Sequence, residues 1–263
     1  MKTPIYQLDA FTDTLFRGNP AAVLPLTDWL PDEILQKIAL ENMVPETAYY
    51  VRNANGYEIR WFTPVMEVDL CGHATLAAAY IVFGEQGNEA REILFDSKSG
   101  ILKVTKEEDG WLTLDFPVDT FQVAVPPPAL QEAISMVTAV GVYRGKADYM
   151  VVLESEEELR ELKPDIIVLS TVPTRGIIVT APGEETDFVS RFFAPQSGID
   201  EDPVTGSAHT TLIPYWAGRL EKNELTAKQI SPRGGYLRCK LNEGRVLISG
   251  QVREYLRGEV EIE

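Results

Sequence analysis

Residues 69–80 read DLCGHATLAAAY: a cysteine, a glycine and one of only two histidines stand at the head of a run of small apolar residues. The run continues through Ile81, Val82 and Phe83 without a charge, and a helix that is apolar on every side has to be enclosed by protein. Small side chains let a sheet wrap closely around it. The stretch therefore predicts a buried central helix whose N-terminus carries the polar chemistry.

Around that helix the chain reads mostly as sheet. Alternating patterns recur in EIRWFT, LKVT, WLTLDF and RVLISG, separated by Gly, Asp and Asn. LKVTKEEDGWLTLDF predicts a hairpin with Asp109 and Gly110 in its loop, and with Leu102 and Val104 facing Leu112, Leu114 and Phe116. Two surface helices are expected: PDEILQKIALEN, with Ile34 and Ile38 on one face, and SEEELREL, where Ser155 and Glu158 have capping-box spacing. GSAHTTLIPYWAG offers a counterpart to the first helix, although Pro214 is expected to end or kink it. The two segments share their approach, RWFTPVMEVDLCGHAT and RFFAPQSGIDEDPVTGSAH, which suggests two related halves. The proline triplet in FPVDTFQVAVPPPALQ marks the linker and places the boundary near residue 118.

The chain has 263 residues, 44% hydrophobic and 24% charged, enough for two modest domains. MKTPIYQLDAF alternates like a strand and lacks the apolar core of a signal peptide, and no run reaches the roughly 20 apolar residues of a membrane span. A cytoplasmic protein without a membrane partner is expected. The formal charge of -16 argues against nucleic acid, but leaves room for a small anion held by backbone N–H groups at a helix start. Cys71 and Cys239 do not form a disulfide framework, and Cys239 shares a strand face with Leu237 and Leu241 as a small core residue.

Gly72 and Gly206 each precede a predicted helix, so free N–H groups and the positive end of a helix dipole suit a carboxylate there. His73 and Ser207 would then occupy equivalent places. Capping and tight turns use glycine too. Glu46, in ENMVPETAYYV, opens an apolar strand, where partial desolvation favours proton exchange near neutral pH; a surface glutamate fits the same pattern. DEDPVTGSAH gathers Asp200, Glu201, Asp202, Thr205, Ser207 and His209, and here a turn at Asp202-Pro203 and a capping Ser207 are the structural alternatives. The histidines and cysteines match no zinc spacing. Nucleophile-elbow, phosphate-loop and dinucleotide motifs are missing, so ATP, NAD and flavin are not implied.

In that order, DAFTDTLFRGNPAAV, PETAYYV, FTPVMEVDLCGHATLAAA and FFAPQSGIDEDPVTGSAH closely resemble the signatures of the phenazine-biosynthesis PhzF-like family, which shares its fold with diaminopimelate epimerase. The resemblance implies an α/β (α+β) chain of two similar domains, each a β-barrel-like sheet around a central helix, with the active site in the cleft between them. It gives domains at 1–117 and 118–251, with the strand at 252–263 completing the first, and a homodimer. It assigns Glu46 as general acid/base, with His73, Asp202 and Ser207 orienting and helping to protonate the substrate. Gly72, Gly206, Thr205 and Asn19 fall on substrate-binding positions. The implied reaction is isomerisation or epimerisation of a small anionic carboxylic acid, without metal or organic cofactor.

Pro45 departs from the serine usual in the family, removing a hydroxyl and an N–H and implying a different substrate. Cys71 sits where related racemases carry one of two catalytic thiols, but its counterpart is Thr205, so a thiol-based racemase is the weaker alternative. A binding or scaffold protein on the same fold is the non-enzymatic alternative, against which stands the joint presence of Glu46, His73, Asp202 and Ser207.

Overall fold

The computed structural model describes residues 2–84, 91–134 and 139–262. The chain divides into two units, Met1–Phe116 with Leu247–Glu263, and Pro117–Val246. The sequence-based boundaries at 117/118 and 251/252 differ by a few residues, because the strand over Arg245–Gly250 pairs with the one over Leu112–Pro117.

In the N-terminal unit, β1 (Lys2–Ala10) runs antiparallel to β2 (Asn19–Leu26) and to β18 (Val252–Glu261), the C-terminal strand. β2 is parallel to β3 (Glu46–Asn53), which is antiparallel to β4 (Gly56–Phe62), itself flanked by the short β5 (Glu67–Val68). β4 is parallel to β6 (Glu92–Ser97), and β7 (Gly100–Lys106) and β8 (Leu112–Pro117) follow antiparallel. The predicted hairpin forms, with Val104 opposite Leu114, and all five of its inward apolar residues are buried. Gly110, at φ +84°, supplies the left-handed turn.

Helix α1 (Asp32–Asn42) covers β2, β3 and β4 through Leu35 and Ala39, which pack with Leu24, Tyr49 and Phe62. The expected face of Ile34 and Ile38 is one residue off: both are half-buried, since the helix starts after Pro31 and turns Leu35 inward. Helix α2 (Gly72–Gly84) is the enclosed element, with eleven of its residues from Gly72 to Phe83 buried and contacts to β1, β2, β3, β7 and β18.

The C-terminal unit repeats this connectivity. β9 (Gln122–Val123) and β10 (Gly141–Arg144) lead into β11 (Asp148–Val152), antiparallel to β10. β11 is parallel to β12 (Gly176–Pro182), which is antiparallel to β13 (Phe188–Ala194), flanked by the short β14 (Ile199–Asp202). β13 is parallel to β15 (Glu224–Gln229), and β16 (Gly235–Asn242) and β17 (Arg245–Gly250) follow, β16 antiparallel to β15. Pairing for pairing, β11 to β16 reproduce β2, β3, β4, β5, β6 and β7, so the two loosely matching sequence segments belong to one duplicated topology.

Three short helices cover the outside of this unit's sheet: α3 (Pro128–Ala133), α4 (Glu156–Glu161) and α5 (Ile166–Leu169). Ser155 caps α4 by accepting from the Glu158 N–H at 3.2 Å, as its spacing predicts. Cys239 is a buried core residue of β16. Helix α6 (His209–Leu220) takes the place of α2 and continues past Pro214. The expected break does not occur, because the Thr210 carbonyl that loses its partner to the proline accepts the Asp119 N–H at 3.1 Å. Among the described residues, no helix is long and apolar enough to cross a membrane.

Candidate active site

Three backbone elements meet at the head of α2. Gly18, at φ +67°, turns the chain into β2; a Cβ there would lie 2.2 Å from the Ala10 carbonyl oxygen. That turn delivers Asn19, fully buried, as the first residue of β2. Glu46 opens the neighbouring parallel strand, where Ala21 pairs with it. Cys71 precedes α2 and its carbonyl accepts the Thr75 N–H at 3.3 Å, which sets His73 in the first turn.

His73 is the centre of the group and is 3% exposed. Its Nδ1 lies 3.1 Å from Asn19 Nδ2 and 3.6 Å from Cys71 Sγ, and its Nε2 lies 3.2 Å from Glu46 Oε2. The last contact has ion-pair distance but is off the line of a well-formed hydrogen bond, and neither atom has another partner among the described residues. The Glu46 side chain keeps 12% of its surface. Burial pulls the His73 pKa down, but the Cys71 sulfur and the Glu46 carboxylate push it up further, and the net value is well above 6.5. Burial, with Glu46 beside it, pushes the Cys71 thiol up.

These contacts fix where the proton sits. In the neutral ring, Nδ1 accepts from the Asn19 amide, so the proton is on Nε2. In the charged ring both nitrogens carry protons, and the Asn19 amide meets Nδ1 with its oxygen, a turn that leaves the heavy atoms in place. In either state Nε2–H faces Glu46. Glu46, Cys71 and His73 also offer oxygen, sulfur and nitrogen ligand atoms within 4.8 Å of one another.

In the C-terminal unit the loop 202–208 is held as firmly. Thr205 Oγ1 donates to Asp202 Oδ2 at 2.5 Å. Gln229 accepts the Thr205 N–H at 2.8 Å and donates to the Asp202 carbonyl at 2.7 Å. His209 Nδ1 donates to the Thr205 carbonyl at 2.8 Å, so its proton is on Nδ1; burial lowers its pKa to about 4, and the ring is neutral. Ser207 Oγ accepts from Arg175 Nη1 at 2.9 Å.

The equivalence expected of Gly72 and Gly206 needs correction. Gly72 begins α2, whereas Gly206 lies in a turn ahead of α6, its carbonyl accepting the His209 N–H at 3.1 Å. His73 is thus in its helix and Ser207 is before its own, because the second loop enters its helix through tight turns at 206–208, whose carbonyls accept N–H groups three residues on. The structure brings Glu46, His73, Asn19 and Gly72 together in one unit, and Asp202, Thr205, Gly206 and Ser207 together in the other. Sequence reasoning missed Arg175, Gln229 and the contact of Cys71 with His73. The antiparallel partner of RFFAP, read as a hairpin strand beginning at Gly176, was the available pointer to Arg175.

Duplicated sheet units around a buried helix define the diaminopimelate epimerase-like class of fold. A hydroxyproline epimerase from Agrobacterium vitis shares that fold alone, at a TM-score of 0.65 and 10% identity over 98% of this chain and 92% of that one. The PhzC-PhzF family model, described as phenazine biosynthesis-like protein, matches residues 8–258. An uncharacterized isomerase of Pseudomonas aeruginosa is 47% identical over the full length of both chains. The crystal structure of a PhzF-family phenazine biosynthesis protein from Enterococcus faecalis superposes with a TM-score of 0.95 at 44% identity, again over both whole chains. This chain belongs to the phenazine biosynthesis-like PhzF family, in which full-length relatives of it carry the name isomerase.

Proposed function

We propose that the protein is a cofactor-independent isomerase that moves a proton between carbons of a small carboxylic acid, with Glu46 as the group that takes it up and returns it. The observation that carries this reading is the Glu46–His73 contact: a carboxylate oxygen 3.2 Å from the imidazole Nε2, with no other partner for either atom among the described residues. A structural ion pair in a protein interior normally spends its remaining bonding capacity on neighbours. Here that capacity is left for a ligand.

In the proposed reaction the Glu46 carboxylate removes a proton from a carbon next to an unsaturated or carboxyl-bearing centre. His73, held from behind by Asn19, keeps Nε2–H on the carboxylate and steadies it as its charge changes. Glu46 then delivers the same proton to another carbon, so the reaction balances without oxidant or second substrate. The free N–H groups of the first turn of α2, at Gly72 and His73, suit oxygen atoms of the acid, and Ser207 is the corresponding hydroxyl of the second unit. Pro45 offers no N–H and no hydroxyl, which favours an acid that makes no contact there.

The test is proton NMR in deuterated water. Wild type and Glu46→Gln are incubated with unsaturated, hydroxy and amino acids, including dihydro-hydroxyanthranilate. Wild type should exchange a carbon-bound proton or form an isomer of one acid, and Glu46→Gln should be slower by on the order of a hundredfold or more. Equal turnover by both removes Glu46 from the mechanism, and loss of turnover in Cys71→Ala instead points to the thiol. Binding without turnover across the panel supports a scaffold.

A further inference from the structure

The duplicated topology aligns Pro45 and Glu46 at the head of β3 with Arg175 and Gly176 at the head of β12. Thr47 pairs with Phe62 across β3 and β4, and Ile177 pairs with Phe193 across β12 and β13, each phenylalanine lying two residues before a proline. In this register Glu46 corresponds to Gly176, at the head of β12, and Arg175 is its immediate neighbour. His73 and Ser207 follow the same Gly in their respective segments. The two units differ at this point: the first carries Glu46 on β3 beside His73 in α2, and the second carries Arg175, one residue before β12, against Ser207 ahead of α6.

Arg175 is built into its unit. Nε donates to Asp148 Oδ1 at 2.9 Å and Nη2 donates to Asp148 Oδ2, a two-point contact with a carboxylate that is 4% exposed. The guanidinium also lies over the Phe192 ring, 5.6 Å from its centroid. Fixed on two sides, it extends Nη1 to Ser207 Oγ. Arginine has no acceptor atom, so the serine oxygen is the acceptor in that bond. Among the described residues nothing accepts the Ser207 hydroxyl proton in turn. The arrangement thus wires one lone pair of Ser207 into the protein and leaves its proton unspent, while Asp202, the nearby acidic group, is engaged with Thr205.

We propose that Arg175 is a positioning residue that holds Ser207 as a hydrogen-bond donor to an oxygen of the substrate's carboxylate. The role rests on the proton-transfer reading for its substrate, but the coupling of Arg175 to position 207 does not. A hydroxyl polarised by a guanidinium donates more strongly than a free one, and an anionic oxygen is the acceptor that gains most.

The test replaces Ser207 by cysteine and follows alkylation by iodoacetamide against pH, with peptide mapping to separate position 207 from the buried Cys71 and Cys239. With Arg175 present, the midpoint should fall below the ~8.5 of an ordinary thiol. With Arg175→Gln added, alkylation at pH 7 should slow about tenfold, and Arg175→Lys should restore part of it. Because Arg175→Gln leaves Asp148 buried and unpaired, the same comparison is made with Asp148→Asn alone and combined with Arg175→Gln. Superimposable pH profiles with and without Arg175 overturn the proposal. In the exchange assay, Arg175→Gln and Ser207→Ala should each raise KM about tenfold more than they change kcat, and the double variant should match the singles. Multiplying effects overturn the positioning role. If no acid in the panel exchanges, the isomerase reading fails and the thiol profile still decides whether Arg175 acts on position 207.

Discussion

The two histidines of the chain occupy matching ends of the two central helices and are held in opposite charge states. His73 opens α2 with its proton on Nε2 against Glu46, and its pKa is well above 6.5. His209 opens α6 with its proton on Nδ1 against the Thr205 carbonyl, its other nitrogen buried without a partner among the described residues and its ring 5.9 Å from Phe188, and its pKa is about 4. Both rings are almost wholly inaccessible, so burial is not what separates them. The neighbour is. At His73 the Cys71 sulfur and the Glu46 carboxylate together outweigh desolvation, and at His209 a carbonyl does not. The first helix head sets an imidazole beside a carboxylate and a thiol, and the second uses its imidazole to hold a loop in shape.

The largest effect that tests this contrast is on stability against pH. In the window from 6.5 down to about 4 the unfolded chain protonates at His209 and the folded chain resists, so stability falls as pH falls, by about 3 kcal/mol once below the folded value. His73 has the other sign. Its contribution is complete below about 6.5, where both states are protonated, and is lost as pH rises through its raised folded value. Urea midpoints should therefore decline on both sides of pH 6.5. His209→Gln should flatten the acid limb and His73→Gln the alkaline one. Two histidine ring-proton signals titrating together near 6.5 would show that the contrast is absent.

The same residues show what a single sequence can carry. The buried character of α2 was legible because eleven apolar or small residues in succession leave no polar face, and the position of Glu46 was legible through the resemblance. The hairpin at 100–117 was legible from alternation alone. Arg175 was not: it reaches Ser207 across 32 positions, and the two strand pairs that would align it with Pro45 close through different loops, 54–55 and 183–187. Counting from the matched prolines therefore slips by one residue. Pro214 misled for a related reason, since the partner of the carbonyl it frees, the Asp119 N–H, comes from a distant part of the chain.

An intermediate effect separates the two helices by enclosure. Ala78 is fully buried in α2, and Ala78→Leu should cost roughly 1–3 kcal/mol by overpacking. Gly218, near the end of α6, has open space where a Cβ would stand, so Gly218→Ala should stabilise by about 0.5–1 kcal/mol. Thermal unfolding reads both, and equal losses would mean that α6 is as tightly enclosed as α2.

The smallest effect concerns Pro214. A proline inside a helix ordinarily costs about 3 kcal/mol against alanine, from a lost hydrogen bond and a clash with the carbonyl four residues back. In α6 that carbonyl, Thr210, already accepts the Asp119 N–H at 3.1 Å, while the Asp119 carboxylate accepts Thr211 Oγ1 at 2.9 Å. Restoring an N–H at position 214 would add a second donor to an oxygen that has one, and would bring no new bond of full strength. Pro214→Ala should therefore shift stability by less than about 1 kcal/mol, far short of the helix scale. A gain approaching 3 kcal/mol would show that Asp119 does not substitute for the missing bond, and that α6 is strained where α2 is regular.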